Sequence, residues 1–381
     1  MRKEDLDTPE ILLDLKILKR NLKRMQEIAD KAKVRLRPMT KTHKMPEISK
    51  MQVKEGSRGI SVAKLEEAEV MADGGINDIF IANLIIGEKK VERMVNLAKR
   101  VAITTAVDSV DGAAAISNIA EKHGMKINTL IEVDVGNGRC GVLPGKPSLQ
   151  LAQAIKGFRG INLRGIYTHE GNVMASSTEQ EMKEKALKAT KDMVDTKKLL
   201  ESNGIPVEVV TIGSTPAAPF NADYPGITEI RPGTYAIGDT SCVNYGYCGL
   251  EDCAVSILFT IISKPAPDRV IGDAGSKQIG PPVEFMRFKD GGVYSDWGKI
   301  EVGRIVDLKH KPLPGVNLEK SHEEYGIITL GSNAPELKIG DKLEIIPFHV
   351  CPSLNLWDRV TVIEDGEVKT TWPILGRGKP K

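Results

Sequence analysis

A (β/α)8 barrel followed by an all-β domain is the fold class this 381-residue sequence predicts. Three observations lead there. Eight short β-branched runs recur between residues 33 and 232, with helical spacing between most of them. Together they fill roughly 200 residues, the size of such a barrel. Beyond residue 245 the helical periodicity fades, and β runs alternate with Gly/Pro-rich turns. The pattern alone does not show closure, so a doubly wound open sheet is the rival architecture.

The elements follow in chain order. Residues 1–10 read as an N-terminal extension, and ILLDL (11–15) as a strand that could join the β domain. KILKRNLKRMQEIADKA (16–32) is the first helix. The barrel strands are expected at 33–41, GISVA (59–63), NDIFIAN (77–83), VAITTAV (101–107), INTLIEVDV (127–135), INLRGIYTH (161–169), PVEVVTIG (206–213) and ITEIRPG (227–233). In 178–203 Met182, Ala186, Ala189, Met193 and Leu200 recur at helical spacing, and Asn203-Gly204 with Pro206 ends that helix. The barrel domain is therefore placed at 11–245 and the β domain at 246–381. In the latter, VSILFTIIS, GIITL and KLEIIPF are separated by turns at PAPD, GGVYSDWG (291–298) and KPLPG.

Composition limits the function classes. With 53 basic and 51 acidic residues the net charge is +2, which gives no support to a nucleic-acid or membrane-surface partner. No run of about 18 apolar residues occurs, so no spanning helix is expected. The first ten residues carry acids where a signal peptide needs an apolar run. Five cysteines without a C-x-x-C suit free thiols in a reducing cytoplasm.

A barrel puts its chemistry at the carboxyl ends of the strands. Those ends read Lys41-Thr42-His43, Asp134 to Arg139, His169-Glu170-Gly171, Gly213-Ser214-Thr215 and Arg231-Pro232-Gly233-Thr234. GSTPAAP (213–219) can offer N–H and hydroxyl donors to an oxyanion, and the loops after strands 7 and 8 are the fold's usual phosphate site. A plain turn ended by Pro216 is the bland alternative. GNGRCG (136–141) spells G-x-G-x-x-G, but a dinucleotide loop must open into a helix, and Pro144, Gly145 and Pro147 oppose one. Its useful residue is then Arg139. His349 and Cys351 in HVC would face the same way on a strand and suit zinc or another divalent metal, against the alternative of a buried thiol beside a bonded histidine. Cys242, Cys248 and Cys253 read as packing thiols, and Lys277 as a lesser rival to Lys41. A lysine, an oxyanion loop, arginines and a histidine at one barrel mouth suit pyridoxal phosphate. Arg37, Lys44 and the barrel arginines are the cations that would lower the pKa of Lys41.

These residues also carry a resemblance. From DTPEILLDL to HVCPSLNLWD the chain resembles the fold-type III pyridoxal-phosphate enzymes of the D-threonine aldolase and D-serine dehydratase group, whose barrel is alanine racemase-like. RPMTKTHK (37–44) is similar to the group's R-P-H-x-K-T-H-K signature, which implies that Lys41 is the Schiff-base residue. IEVDVGNGRCGV implies that Arg139 contacts the cofactor's phenolic oxygen, and YTHEG that His169 packs at the pyridine ring. Gly213, Ser214 and Thr215 match the phosphate loop. EIRPGTY, ending at Tyr235, implies that Arg231 faces the pyridine nitrogen while Gly233 and Thr234 help hold the phosphate. HVC matches the metal-bearing C-terminal domain, so His349 and Cys351 would hold zinc or manganese. The resemblance further implies a homodimer acting on small D-amino acids.

The implied reaction is a metal-assisted cleavage of 3-hydroxy-D-amino acids to glycine and an aldehyde, with Lys41 and His169 as the catalytic residues. Dehydration to a 2-oxo acid and ammonia is the alternative. An amino-acid racemase, which leaves HVC unexplained, and a non-catalytic cofactor carrier, against which the large C-terminal domain argues, are further readings. Met39 stands where the signature has histidine, and Ala63 where glutamine is common.

Overall fold

The computed structural model describes residues 1–281 and 302–381, so the turn expected at 291–298 lies outside the described residues. The chain divides into two compact units, one of residues 25–233 with 378–381, the other of residues 1–24 with 234–377. No helix among the described residues is long and apolar enough to cross a membrane.

Strand β1 (Glu10–Asp14) and helix α1 (Leu15–Ala32) open the chain. Asp14 starts the helix by accepting the N–H groups of Lys16 (2.9 Å) and Ile17 (3.0 Å). Leu18, Leu22, Met25 and Ala29 form its buried stripe. Lys33, at φ 57°, takes the chain out of the helix.

The 25–233 unit carries β2 (Arg35–Leu36), β3 (Ile60–Val62), β4 (Asp78–Leu84), β5 (Ala102–Val107), β6 (Ile127–Glu132), β7 (Ile161–Tyr167), β8 (Val209–Ile212) and β9 (Glu229–Ile230). Each falls inside one of the eight runs expected from the sequence, save that β4 extends one residue beyond its run. All ladders are parallel, in the order β2-β9-β8-β7-β6-β5-β4-β3. The two ends then meet. Leu36 O accepts the Arg58 N–H (2.9 Å), Pro38 O accepts the Ser61 N–H (2.7 Å), and Met39 bridges to Ser61. The rival open sheet is thereby set aside.

Residues 33–41 make only a two-residue strand. Pro38 has no N–H for the ladder, and the chain turns at Thr40–Thr42 into a 3-10 helix that carries Lys41. The barrel interior is layered. Phe80, Ala106, Leu130 and Tyr167 form an apolar layer, with the rings of Phe80 and Tyr167 edge to face at 5.0 Å. The helix Glu179–Ser202 behaves as its spacing predicts. Thr178 caps it by accepting the Glu181 N–H (3.1 Å), and Met182, Ala186, Ala189, Met193 and Leu200 are buried. Each of the larger of these side chains contributes about 1.5–3 kcal/mol on leaving water.

The second unit is built on an antiparallel-rich sheet around β10 (Val255–Ala266). β1 lies between β10, to which it is antiparallel, and β16 (Arg359–Glu364), to which it is parallel. β10 also pairs with β15 (Lys342–Pro347), and through its bulged second half with β11 (Arg269–Gly272). β12 (Gly303–Val306), β13 (Val316–Ser321), β14 (Gly326–Leu330) and β17 (Glu367–Pro373) complete the described strands. Leu12, Leu258 and Ile363 pack together in its core.

Candidate active site

Within the barrel unit, Lys41, Arg139, His169 and Arg231 are brought into one electrostatic neighbourhood. The imidazole of His169 is pushed down to about 3 by burial and then by the charges of Lys41, Arg139 and Arg231. Its Nδ1 lies 3.2 Å from Gly213 O. In the neutral ring Nδ1–H donates there, and Nε2 keeps its lone pair. Lys41 is exposed on its 3-10 turn.

Arg231 is the most tightly fixed cation. It is 3% exposed, with Nε donating to Thr211 Oγ1 (3.1 Å) and Nη2 to Thr168 O (2.5 Å). Its guanidinium rests on the rings of Tyr167 (5.0 Å) and Phe80 (5.4 Å), closing the apolar layer from above. Burial lowers its pKa, Tyr167 and the carboxylates of Glu229, Glu170 and Glu132 oppose that, and the group stays charged.

The β8 exit is organised from beneath by Glu170, fully buried and given no role by the sequence. Its Oε2 accepts the Gly213 N–H (3.1 Å), and its Oε1 accepts Ser214 Oγ–H (3.1 Å) and Asn221 Nδ2–H (2.8 Å). So Gly213 N–H and the Ser214 hydroxyl, both expected to face an oxyanion, are committed to this carboxylate. The Ser214 N–H has no partner among the described residues. Backbones crowd here. A Cβ on Gly213 would stand 2.5 Å from Arg231 N, and one on Gly233 2.9 Å from Met39 O, so both positions require glycine. The Ser214 N–H beside three cations and a neutral imidazole fits an anionic cofactor that carries a phosphate and a phenolic oxygen.

Arg139 leaves the GNGRCG turn half-exposed, 3.6 Å from Glu132. Asp134 Oδ1 shapes that turn by accepting the N–H groups of Gly136, Asn137 and Gly138. No helix opens directly from it. One does form at Lys146–Ile155, with Pro147 in its first turn, where a missing N–H costs nothing.

Two expectations about supporting cations need correction. Arg37 does not serve Lys41. Its Nε bonds Glu229 (3.0 Å) and its Nη1 bonds Asp78 (2.6 Å), both at the amino-terminal starts of β9 and β4. Lys44 pairs with Glu67 (3.2 Å). Lys277 is exposed and paired with Glu324 (2.6 Å), which leaves no desolvated amine there. His43 is fully buried, with Nδ1 accepting the Met45 N–H (3.1 Å).

Thr234, Tyr235, His349 and Cys351 belong to the second unit. Thr234 and Tyr235 open a 3-10 turn at Thr234–Ala236, with Tyr235 buried. HVC is not on a strand. β15 ends at Pro347, His349 precedes a short helix at Val350–Leu354, and Cys351 lies in its first turn. The imidazole and thiol nevertheless stay within hydrogen-bonding reach. Asp239, wholly buried and missed in the sequence, accepts His349 Nδ1–H (3.1 Å), Val350 N–H (3.1 Å) and Ser241 Oγ–H (2.6 Å). A carboxylate behind Nδ1 aims Nε2 outward, the usual support of a metal-binding histidine. Nε2 and the Cys351 sulfur therefore fit a cation with open positions. No group of three or more His, Cys, Asp or Glu side chains able to hold a metal occurs among the described residues. Cys242 and Cys253 are buried, Cys248 is partly so, and all five cysteines are free.

Comparison with known proteins agrees with this fold. The model of the alanine racemase N-terminal domain matches residues 13–241, and that of a putative serine dehydratase domain matches 254–363. A D-threonine aldolase from Arthrobacter sp is 35% identical over 98% of this chain and 93% of that protein. The crystal structure of D-threonine aldolase from Filomicrobium marinum superposes with a TM-score of 0.88 at 28% identity, covering 100% of this chain and 98% of that one. A cysteine-to-alanine mutant of D-threo-3-hydroxyaspartate dehydratase, solved in the metal-free form, gives 0.87 at 29% identity over 98% of both chains. With its barrel matched over residues 13–241, this chain belongs to the family of the alanine racemase N-terminal domain.

Proposed function

We propose that this protein is a lyase dependent on pyridoxal phosphate and a divalent metal, cleaving 3-hydroxy-D-amino acids to glycine and an aldehyde in the manner of D-threonine aldolase. The observation that carries the reading is the gathering of Lys41, Arg139 and Arg231 around a neutral His169. Lys41 would hold the cofactor's aldehyde carbon, Arg139 its phenolic oxygen and Arg231 its ring nitrogen. The Ser214 N–H, with Thr215, Gly233, Thr234 and Tyr235, would receive the phosphate while Gly213 ties that loop to Glu170, and His349 and Cys351 would hold zinc or manganese. When bound, the cofactor supplies an electron sink for the bond broken at Cα, and the metal supplies Lewis acidity at the substrate's 3-hydroxyl.

The chain's own residues do the rest. The guanidinium of Arg231 does not release its proton, so a ring nitrogen beside it stays unprotonated. His169 takes the 3-hydroxyl proton at Nε2. The three cations that depress its pKa are offset once phosphate, phenolate and substrate carboxylate are in place. The Lys41 amine takes the α-proton in the alternative, dehydration. The reading includes a homodimer and a cytoplasmic setting.

Purified protein with cofactor and metal is incubated with D-threonine and with D-serine. Acetaldehyde plus glycine supports the aldolase, ammonia plus a 2-oxo acid the dehydratase, and neither product sinks both. Lys41→Ala is expected to lose the borohydride-sensitive visible band and at least about 100-fold in kcat.

A further inference from the structure

The mechanism leaves the opposite end of the barrel unused. A cavity of ≈ 130 Å³ opens there among Arg35, Arg37, Arg58, Arg164, Asp78 and Glu229, with Phe80 and Leu130 also in its wall. Arg35, Asp78 and Glu229 are the first residues of β2, β4 and β9, so this is the amino-terminal mouth.

The charges in this mouth do not balance. Arg37 is 8% exposed and takes the short bonds to both carboxylates, Glu229 at 3.0 Å and Asp78 at 2.6 Å. Arg58 reaches the same Asp78 only at 3.5 Å, and Arg35 the same Glu229 only at 3.9 Å. Three guanidiniums thus share two carboxylates, and the two outer ones form no hydrogen bond with them. Arg164 pairs outward with Glu208 (2.5 Å), while its Nε is buried without a hydrogen-bond partner. A guanidinium has five N–H donors in a planar fork, and most of those on Arg35 and Arg58 are unspent. Convergent forks in a concave site with surplus positive charge recognise oxyanions.

We propose that the amino-terminal mouth of the barrel is a second binding site, for a small phosphate-type oxyanion, either free phosphate or the phosphate end of a small ester. Arg35 and Arg58 grip the anion from the rim, Arg164 Nε donates from the wall, and the Arg37 ion-pair network forms the base.

The test uses the full chain loaded with pyridoxal phosphate, so that the cofactor's own phosphate site is filled. Inorganic phosphate and glycerol phosphate are titrated calorimetrically at constant ionic strength against chloride. One saturable site per chain is expected. Arg35→Ala combined with Arg58→Ala should weaken it by about tenfold or more. Arg159→Ala, a control at a surface arginine 86% exposed, should leave it unchanged. The rim arginines are exposed enough that the double variant keeps its fold, which its unfolding midpoint and unchanged lyase activity would verify. Binding of the ester as well as phosphate assigns the site to a terminal phosphate group, and binding of phosphate alone to the free ion. Absence of a saturable site, or equal binding by the double variant, overturns the proposal.

Discussion

Lowering the pH should destabilise this protein through one histidine. His43 is 0% exposed, and burial pushes its pKa down to about 3. In the unfolded chain it titrates near the ordinary value of about 6.5. The unfolded state therefore binds the extra proton between those values. The stability this histidine contributes is complete above about pH 6.5 and lost progressively as pH falls toward 3. At pH ~5 the loss is about 2 kcal/mol, from roughly 1.4 kcal/mol for each unit below the ordinary value. Geometry gives the same sense. Nδ1 accepts the Met45 N–H at 3.1 Å, and a proton taken up there would break that bond. The matching variant is His43→Asn, whose amide oxygen can accept the same N–H but which does not titrate. Urea unfolding of both proteins at pH ~7.5 and ~5 is the assay. The variant starts less stable, yet its loss between the two pH values should be smaller by about 2 kcal/mol. Changes from all other groups cancel in that difference. Equal losses in the two proteins would refute the reasoning.

Glu170→Ala strands the Gly213 N–H, the Ser214 hydroxyl and the Asn221 amide, and should lower stability by about 3 kcal/mol or more in urea unfolding, with weaker cofactor retention on dialysis. Glu170→Gln keeps one acceptor and should retain more of both. Asp239→Asn loosens His349 and should weaken zinc binding by about 10- to 100-fold in a competitive chelator titration. Arg37→Met leaves Glu229 buried without its close partner and should cost about 3–5 kcal/mol, read as a lower unfolding midpoint.

What was legible in the sequence was what repeats. The eight β-branched runs mark the barrel strands because each is bounded by helical spacing or a turn. Glycines 213 and 233 were readable because strand ends pressed together admit no Cβ. Long-range partnership was not. Arg37 stands four residues before Lys41, but sequence neighbourhood does not say which end of a barrel a side chain serves. Arg37 turns to Asp78 and Glu229 instead. Glu170 was named only as part of a strand end and Asp239 not at all, because the sequence does not show which donors a carboxylate gathers. Only the fold shows that each gathers donors in the interior. Asp239 did leave one local trace, an Asp before Thr-Ser-Cys at a helix start, where it accepts the Cys242 N–H at 2.9 Å. That cap predicts a turn and says nothing of His349. The i, i+2 spacing of HVC was read on a strand, whereas the chain enters a short helix after His349, with Pro352 tolerated in its first turn.

The position of β1 has a consequence for how the chain is made. Leu12 is paired with Ser256 on one side and Thr361 on the other. During vectorial synthesis this apolar segment emerges before residues 25–233, and both of its neighbours emerge after them. Residues 25–233 can form their ladders from strands already outside the ribosome, whereas Ile11, Leu12 and Leu13 wait for β10 and then β16. The nascent chain thus carries an unpaired sticky strand through most of its translation. Synthesis of β10 and β16, rather than completion of the barrel, is what pairs both edges of β1.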